Sequence, residues 1–303
     1  MMRKLVCSIA AASVLATSIP LAAQSAATFK SAISLVPISA VVRDGRGRLV
    51  TTLTAADFEV WDNGESRRII EFQNDASGAV TMAVLVDMSG SMEMGRKMDL
   101  ARDVLARLSA GLQNGRDEAS LFTFDAALYE AQPFTVMPAS FDATLTGAPF
   151  GSTSLYDGIA ETAKRLQSRP GRRRAIVVVT DGIDTSSALT APEVSALASS
   201  IDVPVYVIAT VASIDRPDDD AASAGEPSVD LYDLARWTGG DFMWVSDAAD
   251  AAAGTARIFA DLRHQYLIAI ESAAHEGWRP LDVRVRGKRL NVRTRGGYFS
   301  VAR

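Results

Sequence analysis

An α/β fold, with a doubly wound, mostly parallel sheet and a flanking β-sandwich built from N- and C-terminal strands, is predicted by three observations. Two runs, AVTMAVLV and AIVVVTDG, are apolar with almost no polar alternation, the pattern of strands buried on both faces. Segments with helical apolar spacing alternate with such runs through the middle of the chain, which implies parallel strands with helices on both faces. At both ends, alternating residues and glycine-rich turns replace the helices.

The chain opens MMRK, then LVCSIAAASVLATSIPLAA, then QSA. A basic start, a modest apolar run interrupted by serine and Pro20, and a small-residue exit make a secretory signal peptide over residues 1–25, with cleavage between Ala23 and Ala27. As a membrane helix the run sits at the lower limit of about 17 apolar residues, so no permanent span is expected. The one cysteine, Cys7, lies inside this leader and before most of its apolar run, which does not suit a lipid-anchor box. The expected mature chain therefore lacks disulfides and depends on an ordinary core, which 303 residues at 48% apolar composition can supply. Loss of Arg3 and Lys4 with the leader moves the formal charge from -5 to about -7, and a mildly acidic chain is not a nucleic-acid binder.

Residues 29–78 read as strand and turn. ISLVPISAVVRD leads into the turn DGRGRLV, and DFEVWDNGESRRIIEF alternates about Asn63-Gly64, a strong hairpin signal. NDASG marks a boundary. Residues 79–264 form the α/β segment: strand Val80–Val86, a helix over Arg96–Asn114 closed by Gly115, strand ASLFTFD, and a short hairpin excursion around YEAQPFTVMP. Helix Leu155–Leu166, strand AIVVVTDG, a further helix, strand VPVYVIAT, a helix around Val229–Trp237, strand DFMWV and helix Asp247–His264 follow, and DRPDDDAASAGEP reads as a polar loop. Residues 265–303 return to strands, with Asp282, Arg284 and Arg286 alternating against Val283 and Val285. They are expected to pack with residues 29–78, because neither end alone has enough strands to bury a face.

Open α/β sheets bind ligands beyond the carboxyl ends of their strands. Asp87 and Asp181 each follow a buried strand directly, and Ser89 and Ser91 stand two and four residues after Asp87. Thr153 lies in the loop FGSTSLYDG that opens a helix. Singly, each residue reads as a turn cap or a partner for backbone amides. Together, Asp87, Ser89, Ser91, Thr153 and Asp181 make an all-oxygen set suited to a hard cation, Mg²⁺ first, with Mn²⁺ or Ca²⁺ as alternatives. Mg²⁺ takes about six ligands and rarely obtains all from protein, which leaves a position for water or a partner's oxygen.

DMSGS, Thr153 in GSTSLYD and Asp181 in VVVTDG resemble, in order and in strand context, the von Willebrand factor type A domain and its metal-ion-dependent adhesion site. The resemblance spans about Val80 to His264 and implies a Rossmann-like fold. It also implies hydroxyl ligation by Ser89, Ser91 and Thr153, with Asp87 and Asp181 acting mainly through water or hydrogen bonds to the ligands. The flanks DFEVWDNGESRRIIEF, HQYLIAI, WRPLDVRV and VRTRGGYF are similar to those of bacterial exported proteins related to this family.

Other polar residues carry simpler expectations. Asp157 reads as a helix-start charge that could also brace Thr153, and Asp125 and Asp184 as solvated loop aspartates, with support of the metal ligands as the alternative for each. Arg172, Arg173 and Arg174 read as a solvated basic loop. His264 and His275 read as structural, and Trp61, Trp237, Trp244 and Trp278 as core or half-buried. No catalytic residue is assigned. There is no G-x-S-x-G elbow, H-E-x-x-H or P-loop, and serine stands where a second carboxylate would follow Asp87. The resemblance thus implies an exported, periplasmic or extracellular interaction module, not an enzyme, that binds a protein partner's Asp or Glu carboxylate through Mg²⁺. A metal-dependent hydrolase or phosphoryl-transfer enzyme and a purely structural envelope scaffold are the alternatives.

Overall fold

Strand β5 (Thr81–Asp87) is buried along its whole length and lies at the centre of a six-stranded sheet. The computed structural model describes residues 35–74, 78–136, 138, 140, 141, 145, 149–169, 171, 173–211, 228–272, 275–287 and 289–300. The chain divides into two units, Met1–Ile33 and Ser34–Arg303, and every described residue belongs to the second. The expected leader and the segment DRPDDDAASAGEP lie outside the described residues.

The elements before β5 are β1 (Leu35–Arg43), β2 (Phe58–Asp62), β3 (Glu65–Arg67) and β4 (Ile69–Gln73). After it come α1 (Lys97–Gly111), β6 (Glu118–Phe124), β7 (Leu128–Thr135), α2 (Leu155–Gln167) and β8 (Arg174–Thr180). Then follow α3 (Ala191–Ser200), β9 (Val205–Thr210), α4 (Ser228–Trp237), β10 (Phe242–Val245) and α5 (Ala248–His264). The chain closes with β11 (Tyr266–Glu271), β12 (Gly277–Val285), β13 (Asn291–Arg293) and β14 (Gly297–Ser300).

The central sheet runs β10-β9-β8-β5-β6-β7, parallel throughout except for the edge strand β7, which turns back antiparallel on β6. Because side chains alternate across a strand, Met82, Val84 and Val86 meet one helical layer, made by Val104, Leu105 and Leu108 of α1 with Ile258 and Leu262 of α5. Ala83 and Leu85 meet the other layer, built on Ile159 and Leu166 of α2, Val194 of α3 and Leu231 of α4. Each fully buried aliphatic side chain contributes about 1.5–3 kcal/mol, which is why these strands show no polar alternation.

Two four-stranded antiparallel sheets, β13-β1-β11-β4 and β14-β12-β2-β3, form the sandwich. Strand β11 lies between β1 and β4, and β12 pairs with β2, so N- and C-terminal segments share both sheets. Asn63 and Gly64 both have positive φ (51° and 80°), the backbone that a two-residue hairpin turn between β2 and β3 requires. Ile38, Ala40, Ile268 and Ile270 face Phe58, Val60, Val283 and Val285, with Phe58 edge-on to Tyr266 at 5.0 Å. Arg284, between two buried valines, is exposed.

Arginines bind the sandwich to the α/β core. Asp261 of α5 is fully buried and receives Arg43 of β1 and Arg293 of β13. Arg295, itself 1% exposed, donates to the carbonyls of Ser199 and Pro37. Asp202 accepts the Ser39 hydroxyl at 3.0 Å. The expectation of a solvated Arg172–Arg174 loop fails at both of its described residues. Arg173 is buried and donates to the carbonyls of Leu262, Arg263 and Gln265, and Arg174 donates to those of Leu166, Gln167 and Ile201. Carbonyls at the ends of helices have no partner within the helix, and these guanidinium groups supply one. Trp237 and Trp278 also depart from expectation, being 56% and 43% exposed. Among the described residues no helix is long and apolar enough to cross a membrane.

Asp261→Ala should cost about 3–5 kcal/mol in urea denaturation, because it leaves two arginines facing an uncharged buried position. Arg284→Ala, on the wet face of β12, should change stability by no more than about 0.5 kcal/mol. Truncation after His264 removes β11 from between β1 and β4. Hydrogen exchange on that form should show β1 and β4 unprotected while β5 and β8 stay protected; retained protection in β1 and β4 would exclude the shared sandwich.

Candidate metal centre

Strands β5 and β8 are adjacent and parallel, in register from Thr81 opposite Arg174 to Val86 opposite Val179. Asp87 and Asp181 consequently emerge at the same edge of the sheet. Asp87 is fully buried, and its carboxylate is held from two sides. The Ser89 N–H donates to Oδ1 at 2.8 Å and the Thr180 hydroxyl to Oδ2 at 2.6 Å. Burial pushes the Asp87 carboxyl up to about 6; the hydrogen bonds from Ser89 and Thr180 oppose that rise and the Asp181 charge adds to it. The Thr180 hydroxyl in turn accepts the Gly182 N–H at 3.0 Å, which ties the loop after β8 to Asp87. Gly182 has φ +92°, a conformation costly for any residue with a Cβ, and so lets the chain turn away directly after Asp181.

After Asp87 the chain forms a 3₁₀ turn over Gly90–Glu93. This places the Ser89 and Ser91 hydroxyl oxygens 3.1 Å apart, with Ser89 buried and Ser91 partly so. The loop carrying Thr153 is fastened to this turn: the Phe150 N–H donates to the Met88 carbonyl at 2.7 Å and the Gly90 N–H to the Gly151 carbonyl at 3.2 Å. Thr153 is buried. Its N–H donates to the Thr185 hydroxyl at 2.8 Å, and its carbonyl accepts the N–H groups of Thr185 and Ser186. The three loops that follow β5, precede α2 and follow β8 are thereby joined by hydrogen bonds.

Asp181 differs from Asp87. Its side chain is 2% exposed, and Oδ2 accepts from the Lys97 ammonium at 2.9 Å. Oδ1 is buried and has no hydrogen-bond partner. Buried carboxylate oxygens almost always find a donor, so such an atom calls for an explanation. Among the described residues no three His, Cys, Asp or Glu side chains cluster as a metal set. Any cation held here would need the hydroxyls as ligands alongside the two carboxylates.

Lys97 and Thr180 were not singled out by sequence. Asp184, expected to be a solvated aspartate, instead accepts the Leu155 N–H at 2.8 Å and the Ser187 hydroxyl at 2.6 Å, and so caps the first turn of α2 just after Thr153. Asp157 stands in that first turn as expected, and its carboxylate accepts the N–H groups of Ala188 and Leu189. Asp125 accepts the Ala127 N–H at 3.0 Å, a local turn contact. His264 closes α5 and His275 is exposed.

No curated protein matches the chain. Among solved structures, it is similar to a von Willebrand factor type A protein from Catenulispora acidiphila, at 13% identity and TM-score 0.50 over 80% of this chain and 71% of that one. An aerotolerance-related membrane protein from Bacteroides fragilis aligns at 19% identity and TM-score 0.47 over 61% of this chain and 98% of that one. The pilus adhesin SpaC from Lactobacillus rhamnosus GG aligns at 14% identity and TM-score 0.48 over 69% and 35%. Residues 82–183, which contain Asp87, Ser89, Ser91, Thr153 and Asp181, match the family model of the von Willebrand factor type A domain, and the mostly parallel sheet between its helical layers has the fold of that domain.

Proposed function

We propose that this protein is an exported, non-enzymatic interaction module that holds a divalent cation, Mg²⁺ first, and uses it to grip a carboxylate on a protein partner. One observation carries the metal reading: Asp181 Oδ1, buried and unpaired, stands at the same sheet edge as Asp87 and the paired hydroxyls of Ser89 and Ser91. A cation explains why a carboxylate oxygen is left without a donor in a region otherwise dense in hydrogen bonds. Ser89, Ser91 and Thr153 would hold it through their hydroxyls, and Asp87 and Asp181 would act mainly through water or by orienting those ligands. The cation would supply a Lewis acid for one more anionic oxygen.

A protein partner, in preference to a small anion, is supported by the rim. Met94, Phe150 and Ile183 are 61%, 83% and 41% exposed, and each lies two or three residues from Ser91, Thr153 or Asp181 on the same three loops. Exposed large apolar side chains around a polar centre are typical of surfaces that become buried on association. Export rests on the basic, apolar and small-residue order of residues 1–25, and leaves the protein in the periplasm or outside the cell.

Ser89→Ala and Thr153→Ala should each weaken Mg²⁺ binding at least about tenfold in titration calorimetry. Both should shift urea stability by no more than about 1.5 kcal/mol, the scale of one neutral hydrogen bond. Partner capture from envelope extract should disappear in EDTA and with Asp87→Ala. Equal capture with Mg²⁺ and with EDTA would favour the structural-scaffold reading instead.

A further inference from the structure

Lys97 is the first residue of α1, and its position there is set by a short run of backbone. The 3₁₀ turn Gly90–Glu93 is followed by Gly95 at φ +67°, which turns the chain so that α1 begins two residues later. Side chains on a helix lean toward its N-terminus, so a residue in the first turn is aimed back at the preceding loop. The Lys97 ammonium accordingly reaches Asp181 Oδ2 at 2.9 Å and the Ser91 carbonyl at 3.4 Å. The two side chains are 17% and 2% exposed, so salt screens this pair far less than one at the surface.

Charge makes the contact consequential. Asp87 and Asp181 together carry two negative charges when ionised, enough to neutralise a divalent cation. With Lys97 counted, the protein's contribution falls to one negative charge, and a loaded site keeps one net positive charge. We infer that Lys97 is a specificity-determining residue of the proposed metal centre, which lowers cation affinity in the free protein and makes the loaded site require an anionic oxygen from the partner. The inference rests on the metal reading above. Lys97 thereby does two things at once: it holds Oδ2 of Asp181 while Oδ1 stays unpaired, and it keeps the loaded centre electron-poor. A purely orienting role predicts a different response to substitution, because losing orientation weakens both binding events together.

The test uses the full chain, Mg²⁺ as the metal probe and acetate as the carboxylate probe. Mg²⁺ is titrated calorimetrically into wild type, Lys97→Gln and Lys97→Arg, in chloride and in acetate at equal ionic strength. Lys97→Gln keeps a hydrogen-bond donor and removes the charge. It should bind Mg²⁺ about tenfold more tightly in chloride, within the usual range of site-to-site coupling. Acetate should strengthen Mg²⁺ binding severalfold in wild type and in Lys97→Arg, and much less in Lys97→Gln. Lys97→Met is the second neutral variant if Lys97→Gln does not melt cooperatively. Mg²⁺ affinity that falls or stays unchanged in the neutral variants, or an acetate effect equal to that of wild type, overturns the inference and leaves the metal centre standing. Absence of Mg²⁺ binding by every form, wild type included, overturns the metal centre and this inference with it.

Discussion

The parallel pairing of β5 with β8 is the constraint from which the rest of the candidate site follows. Between their end residues both strands are apolar because helices cover both faces of the sheet, so Asp87 stands at the last position of β5 and Asp181 just beyond β8. Parallel strands leave at the same edge, which brings Asp87 and Asp181 together although 94 positions separate them in the chain numbering. The register then puts Thr180 beside Asp87, where its hydroxyl holds the carboxylate. A shift of one residue would turn that hydroxyl to the opposite face.

The other buried carboxylates make the contrast. Asp261 is met by two arginines. Asp117 receives Arg263 and the N–H groups of Val80 and Gln113, which hold its carboxyl below its ordinary value against burial. Asp62 receives Arg67, Arg279 and the Tyr298 hydroxyl. Each of these joins segments distant in sequence, and breaking one would strand a buried charge. Among the buried side-chain oxygens without a partner, Asp181 Oδ1 is the one carboxylate oxygen within the described residues. The carboxylates of Asp261, Asp117 and Asp62 are met by arginine; Asp181 at the sheet edge is held on a single oxygen by a lysine.

The arginine contacts also give the sandwich a role beyond its own core. Arg43 and Arg293 on its strands, and Arg295 between β13 and β14, reach α5, the end of α3 and the loop at Asp202. Arg173, just before β8, reaches the end of α5 where the chain passes into β11. The same strand therefore bears the candidate site at one end and the attachment of the sandwich at the other.

Local chemistry was sufficient for much of this protein. Continuous apolar runs marked the buried strands, Asn63-Gly64 marked a hairpin with both residues at positive φ, and Asp247 caps α5 with bonds to the Ala249 and Asp250 N–H groups. Alternation at Asp282 and Arg284 marked the wet face of β12. The positions of Asp87 and Asp181 at strand ends were legible for the same reason, since a charge cannot continue a buried run. The partners of those residues were not. Lys97 meets Asp181 across 84 positions, Thr180 meets Asp87 across 93, and Arg173 meets Leu262 across 89. Periodicity reports which face of its own element a residue occupies, but it carries no information about which other element packs there. Strand order and register decided that Arg173 is buried against carbonyls, that Asp184 caps α2, and that a lysine stands beside the one carboxylate oxygen left unpaired.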